Sequence, residues 1–152
     1  MGAVTYPKEE VARFVDYNFI PVQIQVSNTA LMQQYAVSWT PTILVLDADG
    51  KEHYRTVGFL SPEEFIAAFR VGKGRYFLDL EQFPEAVAMF DEVLQSPATA
   101  NIAAEALFFK AVAQYKQSHD PKPLRAAYET LKAQYPDTEW ARRAEPYKLI
   151  PA

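Results

Sequence analysis

The chain has 152 residues, 49% hydrophobic and 14% aromatic, which is enough for one packed core or two small ones and argues against disorder. Its formal charge of −4, with no cluster of Lys or Arg, speaks against nucleic-acid binding and against an anionic membrane surface. There is no Cys, so cysteine usage says nothing of the redox compartment, and these residues hold no dithiol.

No apolar run approaches the length of a membrane span, and the N-terminus lacks a basic stretch followed by an apolar core. The chain as written is therefore expected to be soluble and cytoplasmic. After Pro7, Lys8 to Asn18 places Val11, Phe14 and Val15 on one face, the spacing of a helix. From Ile20 to Val26 the sequence alternates, with Val22, Ile24 and Val26 on one side and Gln23 and Gln25 on the other, which predicts a half-exposed strand. Ser27 or Asn28 can cap a helix over Thr29–Ala36 that presents Leu31, Met32 and Tyr35.

Ile43 to Leu46 is a continuous apolar run rich in β-branched residues and reads as a strand buried on both faces. Pro41 stands at its entry, where a missing N–H does least damage. Asp47-Ala48-Asp49-Gly50 supplies turn chemistry, and Glu52 to Gly58 returns as a second strand, so the pair is predicted to be an antiparallel hairpin. Ser61-Pro62-Glu63-Glu64 opens a helix: Ser caps, Pro suits the first turn and the two acids favour the dipole. Phe65, Ile66, Ala68 and Phe69 follow at helical spacing, and the pattern runs on to Leu80 through Gly72 and Gly74. Each Gly costs ~1 kcal/mol in a helix, so close helix packing is expected at both.

Val37-Ser38-Trp39-Thr40-Pro41-Thr42, a strand, an Asp-Gly turn, a strand ending at Gly58 and the helix start at Ser61 together resemble the C-terminal half of a thioredoxin fold, over residues 1–69. The resemblance implies a cis Pro41. It also implies that Trp39, Thr40 and Pro41 form a substrate-binding loop beside a redox dithiol, with Thr40 and Pro41 offering backbone to a polypeptide. Met1 and Thr5-Tyr6 are similar to the residues just beyond the second cysteine of longer bacterial members. On that match a catalytic Cys or selenocysteine motif lies upstream of Met1, and the first strand, the central strand and the start of the first long helix are missing. The strands at Pro21–Val26 and Ile43–Leu46 then lose the neighbour between them. They either collapse together into a three-stranded sheet or pair with a second copy, and a homodimer through this incomplete part is the expectation.

Beyond residue 69 the strand signals vanish and helical pairs follow: Phe69–Gln82 with Pro84–Gln95, then Ala100–Gln117 with Lys122–Gln134. Gly74, Phe77, Ala86, Phe90 and Val93 recur 38 residues later as Val112, Tyr115, Leu124, Tyr128 and Leu131, and Pro136 closes the second unit. This resembles the tetratricopeptide repeat, whose usual period is about 34. Phe77, Ala86, Phe90, Tyr115, Leu124 and Tyr128 are expected to be mostly buried. Asp137 to Tyr147 reads as a short last helix that caps the stack.

The predicted architecture is therefore α/β: a partial thioredoxin-like unit over residues 1–69, then an all-α tetratricopeptide-like tail over residues 70–152. His53 and His119 have no Cys, His or acid at ligand spacing and read as surface residues. Asp47-Ala48-Asp49-Gly50 lacks the later ligands and the closing Glu of a calcium loop, so it reads as the hairpin turn. No metal, no cofactor and no catalytic residue is expected in the chain itself. Trp39, Thr40 and Pro41 are the one candidate site, for a protein or peptide partner. The implied function is a thiol–disulfide oxidoreductase whose redox motif lies elsewhere; the alternative is a non-catalytic interaction module that uses the helices.

Overall fold

Asp47 organises the hairpin through a single side chain. Its Oδ1 accepts from the backbone N–H of Asp49 at 3.0 Å and of Lys51 at 2.9 Å, while Gly50 takes φ +80°, a conformation that Gly adopts without steric cost. The turn joins β1 (Thr42–Leu46) to β2 (Glu52–Val57) in antiparallel register, Thr42 opposite Val57 and Val45 opposite Tyr54. Leu46 then faces Glu52, so His53 is one extra residue on β2, a bulge that turns it and Tyr54 toward the same neighbour. The structure, a computed structural model, describes residues 1–151.

Five further stretches follow the expected boundaries to within a few residues. They are α1 (Glu9–Asn18), α2 (Thr29–Gln34), α4 (Phe83–Leu94), α5 (Ala100–Ser118) and α6 (Lys122–Gln134). The Asn28 side chain caps α2 by accepting from the N–H of Leu31. α3 (Pro62–Asp79) is one helix from the Ser61 cap to beyond both glycines. Ser61 Oγ accepts from the N–H of Glu64 at 3.2 Å, and the Glu64 carboxylate accepts from the N–H of Ser61 at 2.9 Å. That reciprocal pair satisfies two donors that a helix start leaves open. The expected last helix is α7 (Glu139–Arg143) followed by a 3₁₀ turn at Glu145–Leu149.

The two glycines of α3 have different reasons. A Cβ at Gly74 would lie 2.6 Å from Cε1 of Phe90, so Gly74 lets α4 approach, as helix packing requires. A Cβ at Gly72 would lie 2.8 Å from Cδ1 of Tyr54, so there the close neighbour is β2 and not a helix.

One core runs through both halves of the chain. Val11 of α1, Val45 of β1, Phe65, Phe69 and Val71 of α3, Phe90 of α4 and Ile102 of α5 belong to a single buried cluster. The expected division after residue 69 therefore falls inside α3 and inside this core. A second cluster, with Leu131, Tyr128 and Trp140, joins α5, α6 and α7. Among the described residues no helix is long and apolar enough to cross a membrane.

Three expectations are corrected. Ile20–Val26 forms no strand; the described sheet has two strands, β1 and β2, and Ile20, Val22 and Val26 are 92%, 75% and 64% exposed. Alternation makes a strand only where a neighbour takes up its backbone groups, and neither a central strand nor a collapse onto β1 supplies one. Tyr115 is not mostly buried but 38% exposed: it lies in the last turn of α5, where Tyr115 to Ser118 all face outward. His53 is not at the surface, being only 5% exposed, because the bulge turns it under α3. The other repeat positions, Ala86, Phe90, Leu124 and Tyr128, are buried, and Phe77 is partly buried against the core.

Candidate functional site

The loop from Tyr35 to Thr42 is pinned at both ends. At its start the Arg55 guanidinium donates to the carbonyls of Tyr35 and Ala36, while both Glu52 carboxylate oxygens hold Arg55 at 2.8 Å. At its end Thr42 Oγ1 donates to the Trp39 carbonyl at 2.6 Å, and the N–H of Gly58 donates to the Pro41 carbonyl at 2.8 Å. The Thr40–Pro41 peptide bond is cis.

The strand register places Val57 opposite Thr42, and Gly58 binds Pro41, so Trp39, Val57 and Phe59 flank one stretch of backbone. All three are exposed, by 68%, 53% and 57%. Large apolar side chains gathered around a fixed loop form a surface that a polypeptide can cover. The three predicted residues are consecutive in the chain, and the pairing sets Val57 and Phe59 beside their backbone. Only the strand pairing reveals the last two, because neither stands out in the sequence.

The loop carries no sulfur nucleophile of its own. The sequence contains no Cys, and among the described residues no group of three His, Cys, Asp or Glu side chains could hold a metal ion. The best arranged polar cluster lies elsewhere. His53 Nε2 is 3.0 Å from Asp47 Oδ2 and His53 Nδ1 is 2.7 Å from Asp79 Oδ2, with the Tyr76 ring edge-on at 5.1 Å. Burial disfavours the imidazolium, but the hydrogen bonds to Asp47 and Asp79 outweigh it and hold the His53 pKa above its ordinary value. The same hydrogen bond draws the Asp47 pKa down. With both ring nitrogens engaged and the side chain fully closed from solvent, His53 cannot serve as a base; it ties the hairpin turn to the end of α3.

A cleft of about 470 Å³ lies between β2 and the helices, bordered by residues 52–55, Arg75, Glu105, Glu139 and Trp140. Arg75 stacks on Phe109 at 3.9 Å and reaches Glu105 at 3.4 Å. None of these residues stands out in the sequence, because the cleft joins segments that meet only in the fold.

A family model described as a thioredoxin-like domain matches residues 3–73. No curated protein and no solved structure matches the chain. Residues 3–73 are accordingly a thioredoxin-like domain, and its matched region ends inside α3.

Proposed function

We propose that the thioredoxin-like domain is the polypeptide-contacting part of a thiol–disulfide oxidoreductase, with the thiolate or selenolate supplied by a segment outside these 152 residues. The observation that carries this reading is the exposed Trp39, Val57 and Phe59 around the pinned Trp39-Thr40-Pro41 backbone. In the exchange, an incoming thiolate attacks one sulfur of a substrate disulfide, a mixed disulfide forms and the other sulfur leaves as thiolate. Trp39, Thr40 and Pro41 would hold the substrate chain during that step, Trp39 by apolar contact and Thr40 and Pro41 through backbone. This chain alone has no sulfur nucleophile and performs no exchange.

The open edge of β1 supports the need for a further segment. No described backbone pairs with it, and Ile20, Val22, Ile24 and Val26 stay exposed. A second copy of the chain is one way to cover these groups, which is the basis for a homodimer. A second functional reading rests on the helices: α3 to α6 pack in sequence and repeat their aromatic positions, Phe77 with Tyr115 and Phe90 with Tyr128, which favours a tetratricopeptide-like module that binds protein.

Disulfide turnover distinguishes the readings. The chain, extended by the in-frame sequence upstream of Met1 in the genome, is expected to reduce insulin disulfides, and Trp39→Ala in that protein is expected to raise KM. An upstream sequence with neither Cys nor in-frame UGA, or an extended protein without turnover, would overturn the redox reading and leave the interaction module.

A further inference from the structure

We propose that the cleft beside β2 binds an extended polypeptide segment as an added β-strand, at a site separate from the Trp39 loop. Four consecutive residues of β2, Glu52 to Arg55, border this cleft. Their side chains leave the strand on both faces: His53 and Tyr54 turn to α3, whereas Arg55, with Glu52, turns to the end of α2. The element common to all four is the strand edge away from β1. No described backbone pairs with that edge.

The opposite wall provides a second, independent sign of a ligand. Trp140 is 6% exposed, borders the cleft, and its indole N–H is buried without a hydrogen-bond partner. A carbonyl that reached this N–H would make a bond that otherwise goes unmade.

The charges fit a backbone and not an ion. Glu52 is matched by Arg55 and Glu139 by Arg143, while Arg75 lies over Phe109 beside Glu105, so the lining presents dipoles and at most one unmatched charge. A neutral extended peptide complements such a lining; free phosphate or a strongly charged peptide does not. Four strand residues span about 13 Å, which is long enough for a short ladder of main-chain bonds, and main-chain bonds are what strand addition uses for affinity.

The test uses the whole chain and a displayed library of random octapeptides, from which recovered peptides are synthesised both plain and backbone N-methylated. A plain peptide is expected to shift the Trp140 indole N–H resonance, to slow hydrogen exchange of β2 amides, and to bind Trp39→Ala as it binds the parent. N-methylation on the pairing edge is expected to weaken binding ~10-fold or more, and Trp140→Phe to weaken it by several-fold. Because Trp140 also packs in the core, the N-methylated peptide gives the same information without altering the protein. Failure to enrich any peptide, binding indifferent to N-methylation, or loss of binding in Trp39→Ala would each overturn the proposal. So would β2 amides already protected in a dimer without peptide, or inorganic phosphate producing the same shifts.

Discussion

His53 Nδ1 lies 2.7 Å from a carboxylate oxygen of Asp79, joining the bulge of β2 to the last turn of α3 across 26 residues of sequence. The other ring nitrogen meets Asp47 at the hairpin turn, so one imidazole locks strand, turn and helix together.

This lock should depend on pH. The folded pKa of His53 is raised, so its contribution is complete below the unfolded value of about 6.5 and is lost as pH rises through the higher folded value. The urea midpoint of the parent is expected to exceed that of His53→Gln by most near pH 6, with the gap narrowing toward pH 9. An equal gap at both would show that the ring contributes by packing alone.

Glu105 titrates in the opposite environment. Burial, chiefly, pushes its carboxyl up to about 7; Arg75 and Arg143 draw it down and Glu139 pushes it up. The folded chain therefore holds a proton that an unfolded Glu releases near 4.5. Stability from this group falls as pH rises between those values, by on the order of 3 kcal/mol once complete. Glu105→Gln is expected to match the parent at pH 4.5 and to be the more stable protein at pH 8. Urea titrations at the two pH values check it.

Gly74 and Phe90 form a tight pair, so changes on either side should be harmful. Phe90 is 0% exposed, and Phe90→Ala is expected to cost about 3–5 kcal/mol. Gly74→Ala would ordinarily stabilise a helix by ~1 kcal/mol. Here the new Cβ would meet Cε1 of Phe90 at 2.6 Å, so a net loss of about 1–3 kcal/mol is expected. Denaturation midpoints of the two variants decide whether α3 and α4 are packed as closely as described.

Ser61→Ala removes one half of the reciprocal cap on α3 and should cost ~1 kcal/mol. Ser61→Thr, which keeps the hydroxyl, should restore most of it. The comparison is made by thermal unfolding at fixed pH.

What could be read in the sequence was what the chain decides locally. Asp47 bonds to residues two and four positions on, Ser61 to a residue three on, and both were legible from spacing alone. So were the helices that carry Phe65, Phe90 and Leu131, whose apolar period is their own. Ile20–Val26 misled because its alternation describes a strand only if another strand lies beside it. His53 misled because Asp79 is remote in sequence and the bulge that turns the ring inward depends on register. Trp39, Thr40 and Pro41 were legible as a motif, whereas Val57 and Phe59 became part of the same surface only through pairing. The cleft at Trp140 was invisible for the same reason: it exists between elements and in none of them.

The continuity of α3 has a consequence for anyone who would divide this protein. Its first turns cover the hairpin through Phe65 and Phe69, and its later turns receive Phe90 at Gly74. A cut after Phe69 would leave each piece with half a rod and a raw apolar face, so neither half behaves as a portable cassette. Grafts and fusions should carry α3 whole together with everything that leans on it.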